Sequence, residues 1–365
     1  MGDEPLRRRG VLTAYPDFRR IWLAMTASMV GSRALGVVYP LLSVTIGHST
    51  VWAGWVTFAW TAPTVLYMLA GAVVDRCDAR LVLLWSQLSR AVLIASVVAA
   101  LLLENLSVWH LLVVAFLEAS FALFATLAEI ALIPAIVDRK EVGRAAALQE
   151  GSVQAAVLAG RPLGGALYGI WPFVPFAVNV LLIGVSLCAV WRLKHTRMPK
   201  HRTPIAVDIY IAIRRVRRHR FLRVAVPLTA ATNLIFHALV IVFIASSTTN
   251  GTPPVVTGVV LAATGIGGLI GTLLAPARTS IGTWIGARTA ASGILSWVTD
   301  VTGLTRDGRS TLVLHTWLWV CGLVLIAVTD TPLWFGLALT LMGMAGGLSN
   351  VTFRTQVVRP CGARP

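Results

Sequence analysis

Long apolar stretches alternate with short polar segments along the whole chain. Ten of these stretches reach the length of about 20 residues that an α-helix needs to cross the ~30 Å hydrocarbon core of a bilayer. The stretches lack the period-two alternation of a transmembrane β-strand. The pattern therefore predicts an all-α polytopic membrane protein. We place its spans at roughly 21–45, 51–74, 81–103, 108–137, 145–170, 172–193, 222–245, 254–276, 311–329 and 332–352.

Basic residues distinguish the two sides of this predicted bundle. Of the 31 Lys and Arg residues, 28 lie before span 1, after span 10, or within or at the edges of the connections that follow even-numbered spans. The connections that follow odd-numbered spans contain none. Cytoplasmic loops carry the excess of Lys and Arg in multi-pass proteins. We therefore expect a plasma (inner) membrane protein with both termini in the cytoplasm.

Composition agrees with a membrane protein and excludes several other classes. The chain has 365 residues, of which 56% are hydrophobic and 13% charged, against roughly 25% charged residues in an average soluble domain. So apolar a chain is not intrinsically disordered. Its net charge of +16 could indicate a nucleic-acid partner. The densest basic stretch, 214–220, lies in a connection on the predicted cytoplasmic side, so an anchor beside anionic lipid headgroups is favoured, and no nucleic acid is expected.

A motif in the connection between spans 2 and 3 points to a family. Gly71, Asp75, Arg76 and Arg80 have the spacing GxxxDRxxxR, which resembles the loop signature of the major facilitator superfamily. Further stretches resemble the macrolide-efflux and enterobactin-exporter branch of that superfamily. They are 16–23, 31–33, 39–42, 133–137, 143–148, 160–165 and 257–271. The resemblance covers most of residues 11–276 and resumes at about 309–360.

The resemblance implies the major facilitator fold, which has two halves of six helices. In this chain we expect a six-helix N-terminal half at 1–193, a basic cytoplasmic linker at 194–221 and an incomplete C-terminal half at 222–365. The last part would contain about four helices and an insertion near 287–308. About 10 of the usual 12 transmembrane helices are therefore expected, with spans 11 and 12 missing.

The same resemblance implies a function. It predicts a secondary active transporter that exports a drug-like or siderophore-like small molecule in exchange for protons by alternating access. The expected partners are the lipid bilayer, the small-molecule substrate and protons. The sequence has no GxxxxGK[ST], GxSxG or HExxH motif, so no enzyme activity, cofactor or metal is expected. The alternative is a truncated, non-transporting membrane protein, either a degenerate remnant or a binding or regulatory partner.

The loop motif has two possible roles. Asp75 ends span 2, where its carboxylate can meet a helix N-terminus, and Arg76 and Arg80 can pair with it or with nearby acids. In the family this cluster, which begins at Gly71, latches the two halves in one state of the transport cycle. The other reading is that the arginines only anchor the loop on the cytoplasmic side.

Three charged residues are predicted near the middle of the bilayer. Counted at 1.5 Å per residue, Arg33 lies about 18 Å and Arg90 about 13 Å from the inside, and Glu118 about 15 Å from the outside. A buried charge costs several kcal/mol unless it is paired. We expect Glu118 to pair with Arg33 or Arg90, either as a site that responds to protonation or substrate or as a static ion pair.

Three further charges are secondary candidates. Glu129 and Glu150 fall near the cytoplasmic ends of their spans, where partnership with the inside arginines is favoured over ligand binding. Arg161, between Gly160 and Pro162, could attract an anionic or polar substrate or could cap broken backbone.

Small residues predict where helices approach closely. GxxxG spacing permits tight contact between transmembrane helices, and Pro162 can weaken span 5 locally. The glycines expected at such contacts in spans 5 and 8 are Gly160, Gly164, Gly165, Gly267 and Gly271. Gly169 completes a second pair with Gly165, and Gly343 and Gly347 repeat the spacing in span 10.

Overall fold

The computed structural model describes residues 11–138, 141–192, 220–274, 306–328 and 331–358, together with positions 207, 210, 214 and 217. Within these residues the chain forms ten long helices and no strand, which confirms the all-α prediction. A short helical turn, Val11–Ala14, precedes them. The ten helices are α1 (Pro16–Gly47), α2 (Val51–Val74), α3 (Ala79–Leu102), α4 (Val108–Ile136), α5 (Val142–Ile170), α6 (Val174–Trp191), α7 (Arg220–Thr249), α8 (Pro254–Leu274), α9 (Arg306–Val328) and α10 (Pro332–Val358).

Every predicted span corresponds to one of these helices. Nine helices of the described chain are long and apolar enough to cross a membrane, and α5 is the exception. Its 29 residues give it sufficient length, but Arg144, Glu150 and Arg161 make it less apolar than its neighbours. The ten predicted helices are therefore present, and nine of them are both long enough and apolar enough to cross a membrane.

Local sequence signals fix several helix ends. The side chains of Asp78 and Ser107 cap α3 and α4 by accepting hydrogen bonds from the backbone N–H groups of Arg80 (2.9 Å) and His110 (3.2 Å). Such caps satisfy N–H groups that have no partner within the helix. At the turn between α7 and α8, Gly251 adopts a positive φ of 65°, a conformation that glycine allows at no steric cost.

Helix α2 contains a change of helix type that the apolar pattern did not predict. Its segments Val51–Thr61 and Tyr67–Val74 are joined by a 3-10 helix, Ala62–Leu66. Pro63 lies in this segment. Proline removes a backbone donor and crowds the preceding turn, which favours a local break in an α-helix. The change of pitch lies beside Thr64 and Tyr67, which line the cavity described below.

The chain divides into two compact units. Unit 1 comprises Met1–Tyr210 and Val240–Gly258, and unit 2 comprises Ile211–Leu239 and Val259–Pro365. Both units are therefore discontinuous in sequence, since the end of α7 and the start of α8 belong to unit 1. Of the predicted linker at 194–221, most residues lie outside the described residues, as do 287–305 of the predicted insertion near 287–308. Residues 306–308 begin α9.

Helix α1 occupies the centre of unit 1, where it packs against α2, α5 and α6. Leu35 and Val38 in its middle are fully buried, and they join one hydrophobic cluster with residues of α2, α3, α4 and α6. A second cluster, nearer the α2–α3 connection, contains Ile21, Leu83 and Val190. Because apolar side chains pack around the middle of α1, a polar group in this part of the helix needs a partner or a cavity.

In unit 2, α9 and α10 pack along each other. The hydroxyls of Thr311 and Thr352 lie 2.9 Å apart across this contact, and Nδ1 of His315 lies 2.8 Å from the hydroxyl of Ser349. Hydrogen bonds between polar side chains of this kind hold helices together where the surroundings are apolar.

Candidate functional site

A cavity of about 280 Å³ lies among α1, α2, α3, α4 and α5 of unit 1. Its wall is partly apolar and partly charged, which is typical of small-molecule sites. The apolar part includes Met29, Trp60 and Leu123. The polar and charged part includes Arg33, Tyr67, Gln87, Arg90, Thr126 and Glu129. Of the charged candidates predicted from the sequence, Arg33, Arg90 and Glu129 thus share one space.

Arg90 is the centre of a buried hydrogen-bond network that includes residues of this wall. Its Nε donates to Glu118 Oε1 at 2.9 Å, and its Nη2 forms a salt bridge with the same oxygen at 2.8 Å. Nη1 donates to Gln87 Oε1 at 2.8 Å and to the hydroxyl of Ser28 at 3.4 Å. Nη2 also donates to the hydroxyl of Ser32. Since a guanidinium has five N–H groups, each of them has an acceptor.

The predicted pairing of Glu118 with Arg33 or Arg90 is therefore resolved in favour of Arg90. The Glu118 side chain is fully buried and that of Arg90 is 4% exposed. Oε1 of Glu118 accepts both bonds from Arg90, whereas Oε2 has no hydrogen-bond partner among the described residues. A paired charge of this kind is tolerated in an apolar interior, while either charge alone is not.

Arg33 differs from Arg90 because its side chain is exposed to the cavity. It forms no salt bridge with an acidic residue in the part of the chain that the structure describes. Arg161 of α5 lies close enough for the two positive charges to interact. The proximity follows from Gly160, because a Cβ atom built there would lie 2.8 Å from Cβ of Arg33.

Arg161 was expected either to attract a substrate or to cap broken backbone, and the structure shows no break in α5 at this residue. Helix α5 continues without interruption from Val142 to Ile170, with Pro162 inside it. The backbone here is instead a packing surface, since a Cβ atom at Gly258 would lie 2.4 Å from the carbonyl oxygen of Arg161.

Glu129 pairs with a residue other than the one expected from the sequence. It was predicted to pair with an inside arginine, but its Oε1 accepts a hydrogen bond from Nε2 of Gln149 at 2.7 Å. The side chain is 4% exposed and lines the cavity. The side chain of Glu150, which shared this prediction, lies outside the described residues.

The loop motif brings together the ends of three helices. Asp75 is the exposed residue that ends α2, and the helix N-terminus of α3 is capped by Asp78 instead. Arg80 is buried, and it donates from Nε to the carbonyl oxygen of Val190 at 3.3 Å and from Nη2 to that of Trp191 at 2.7 Å. A cation at the last carbonyls of a helix stabilises its C-terminus, so Arg80 ties α3 to the end of α6.

Arg76 and Gly71, the other two motif residues, are less tightly packed than Arg80. Arg76 is partly exposed in the turn after α2. A Cβ atom at Gly71 would meet no atom within 4 Å among the described residues. The packing around Gly71 therefore does not require glycine.

Most of the predicted glycine contacts are present, both in α5 and between α8 and α10. In α5, Cβ atoms at Gly160 and Gly164 would lie 2.5 and 2.4 Å from backbone oxygens of α1, and one at Gly165 would lie 2.2 Å from the carbonyl oxygen of Pro254. In α8, Gly267 and Gly271 face backbone oxygens of α10, where Gly343 and Gly347 return the contact. Gly169 has no atom within 4 Å, so its predicted GxxxG role is not realised among the described residues.

Sequence reasoning missed several polar residues of the site. Gln87 donates from Nε2 to the hydroxyls of Ser28 and Ser186 at 3.3 and 3.0 Å, which links α3 to α1 and α6. A signal was present, because Gln87 lies one helical turn before Arg90 and therefore on the same face. Ser28 and Ser32 are also about one helical turn apart, so they lie on the same face of α1. Tyr67 could be placed only once the break in α2 was known.

A second depression, between α3 and α6, is larger than this cavity, but its lining is almost entirely apolar. It has a volume of about 420 Å³ and is lined by Leu81, Leu84, Trp85, Leu88, Leu187, Cys188 and Trp191. Trp85 and Trp191 are among the most exposed aromatic residues of unit 1. Such a surface suits contact with lipid. No cluster of three His, Cys, Asp or Glu suited to a metal ion occurs in the described parts of the chain.

Comparison with known proteins extends over nearly the whole chain. Residues 21–364 match the family described as Major Facilitator Superfamily. No curated protein sequence matches the chain.

Several solved transporter structures have a similar fold. One is a bacterial homologue of the human lysosomal transporter Spinster, in an inward-facing and unoccupied conformation. It has a TM-score of 0.65 at 16% identity, over 94% of this chain and 75% of that one. The nucleoside transporter NupG, as a variant, has a TM-score of 0.64 at 13% identity, over 93% and 82%. A bacterial homologue of the iron transporter ferroportin, inward-facing, has 0.55 at 16% identity, over 97% and 86%.

Proposed function

The chain belongs to the Major Facilitator Superfamily, and from this premise we propose that it is a secondary active transporter that exports a drug-like or siderophore-like small molecule in exchange for protons. Its apolar helices make it a multi-pass membrane protein, and its family and structural neighbours are transporters. Efflux, protons and the substrate class are our proposal, together with the plasma membrane and the cytoplasmic termini, which the distribution of basic residues supports.

The charged cavity of unit 1 is the observation that carries this proposal. Ionisable residues inside a membrane protein mark substrate or ion pathways, because burying them is costly without a function or a partner. Transporters place their binding sites near the midplane of the bilayer. Arg33 lies about 26 Å along α1 from Pro16 and about 21 Å from Gly47, close to the middle of the helix.

We assign different roles to the two buried carboxylates. A carboxylate that carries a proton must reach water and must exist in both charge states. Glu129 meets the first requirement because it lines the cavity, and its single neutral partner, Gln149, does not require a negative charge. Glu118 does not meet the first requirement, because it is fully buried against Arg90 and is not among the residues that line the cavity. The proposed proton carrier is therefore Glu129. The Arg90–Glu118 pair is proposed to fix the positions of α3 and α4 relative to α1 around the cavity.

The loop motif is proposed to act during the transport cycle as its family resemblance implies. Arg80 supports this role by fixing α3 to the C-terminus of α6. Asp75 is exposed and Arg76 partly exposed in this connection.

Proton movement in liposomes tests the proposal. The full chain is reconstituted with a pH-sensitive dye inside, a pH gradient is imposed, and ethidium, a macrolide or an iron-free catecholate siderophore is added. We expect at least one compound to cause proton movement through the wild type. The Glu129→Gln variant should abolish it, and Glu141→Gln, which changes a carboxylate outside the cavity, should not. Absence of compound-dependent proton movement in the wild type would contradict the proposed function.

A further inference from the structure

We infer that the cavity of unit 1 binds an organic anion, whose carboxylate, sulfonate or phosphate group contacts Arg33 while an apolar, aromatic body contacts the apolar residues of the cavity wall. This inference rests on the proposed function and names the class of its substrate.

The first argument is the charge of Arg33. Its guanidinium lies near the middle of α1 and is exposed to the cavity, and no carboxylate in the described chain forms a salt bridge with it. An arginine at the centre of a membrane span is costly to keep without a counter-charge. A guanidinium presents a planar fork of N–H donors that matches a carboxylate, sulfonate or phosphate. An anionic ligand would therefore supply the missing counter-charge.

The second argument is the balance of the other charges. The positive charge of Arg90 is compensated by Glu118 through two contacts to one oxygen. Arg161 lies close enough to Arg33 for the two positive charges to interact. Glu129 also lines the cavity, but its hydrogen bond goes to Gln149 and not to Arg33. The neighbourhood of Arg33 consequently favours a negative ligand over a positive one.

The third argument is the apolar part of the wall. Trp60, Met29 and Leu123 line the same cavity as Arg33. The indole of Trp60 packs on the ring of Tyr39 with centroids 4.9 Å apart, so its orientation is fixed by a buried residue. The volume of about 280 Å³ is near the lower limit of ligand pockets. The part of the ligand held here should be no larger than one or two aromatic rings.

Two ions with the same aromatic body test this inference. Naphthalene-2-sulfonate and naphthyl-2-trimethylammonium are each added to the detergent-solubilised full chain, and the unfolding midpoint is measured. A ligand that binds the folded state raises the midpoint. We expect the sulfonate to raise it and the ammonium compound to leave it unchanged. A larger shift with the ammonium compound would overturn the inference without any mutation.

Variants of Arg33 locate the site. The Arg33→Gln variant should bind the sulfonate at least about tenfold more weakly, since one charge-assisted contact is lost. Arg33→Lys should retain part of the affinity because it keeps the charge but not the fork. Arg20→Gln, which removes an exposed arginine from the same helix, should bind normally. An unchanged affinity in folded Arg33→Gln protein would overturn the inference.

Transport of the same two compounds separates this inference from the proposed function. Proton-driven movement of the ammonium compound without binding of the sulfonate would support a transporter and overturn the anion site. Binding of the sulfonate without movement of either compound or of protons would support the anion site and contradict the proposed function.

Discussion

The substitution Glu118→Gln removes the charge that faces Arg90 while keeping the shape of the side chain. The amide oxygen can still accept from Nε of Arg90, and the NH₂ group can take the place of Oε2, which has no partner in the described chain. The variant therefore changes charge with little change in packing. Breaking a buried ion pair costs about 3–5 kcal/mol, and an unpaired arginine at mid-membrane costs about 2.5–3.5 kcal/mol. We expect a loss near the lower value, about 3 kcal/mol, because the Gln87 contact remains.

The assay is reversible unfolding in mixed detergent micelles, followed by tryptophan fluorescence. A loss of about 3 kcal/mol corresponds to more than a hundredfold change in the unfolding equilibrium. Glu141→Gln is the matched control, since its partner Arg144 is 62% exposed and an exposed pair contributes about 0.2–1 kcal/mol. The double variant Arg90→Met with Glu118→Gln should recover part of the loss because no unpaired charge is left. If Glu118→Gln and Glu141→Gln cost the same, the stabilising role of the buried pair is refuted.

Three further predictions concern packing, the loop motif and topology. Gly164→Ala should destabilise the chain by about 1–3 kcal/mol through overpacking, whereas Gly151→Ala on the same helix, where a Cβ atom meets no atom within 4 Å, should be neutral or slightly stabilising. Equal unfolding free energies would contradict this. Arg80→Gln should lower stability by about 1–2 kcal/mol, because two helix-terminal carbonyls lose a charged donor; an unchanged value would refute its capping role. In single-cysteine chains, Cys77 should react with a membrane-impermeant thiol reagent only from the cytoplasm, and Glu104→Cys only from outside; the reverse would invert the topology.

The helices could be predicted from the sequence because the bilayer imposes one requirement on every span. Each backbone polar group must be satisfied within the segment, so a long apolar run forms a helix. The same reasoning overlooked the 3-10 segment of α2. Pro63 was visible in the sequence, but a proline within an apolar run can kink, break or fit into a helix, and the outcome depends on neighbours.

The candidate site could be predicted in composition but only partly in its contacts. Depth along the helices predicted similar levels for Arg33, Arg90 and Glu118, and the contact between Arg90 and Glu118 agrees with this. It could not choose the partner of Glu118, because that choice depends on how α1 and α3 are rotated about their axes. Packing sets this rotation through contacts such as that of Gly160 with Arg33. Glu129 was misassigned for a similar reason, since its sequence position near a cytoplasmic end did not reveal that it lines a cavity.

The central claim is that the cavity of unit 1 is the transport pathway, and a pathway must open to both sides of the membrane. The most direct test is the labelling of a single cysteine at Ala122, which lines the cavity, by a membrane-impermeant thiol reagent added from either side. Ala115→Cys on the same helix, at a fully buried position, is the control that should not react. The account predicts that Ala122→Cys reacts from both sides, with the balance shifted by a pH gradient. Reaction from one side only, whatever the gradient, would contradict it.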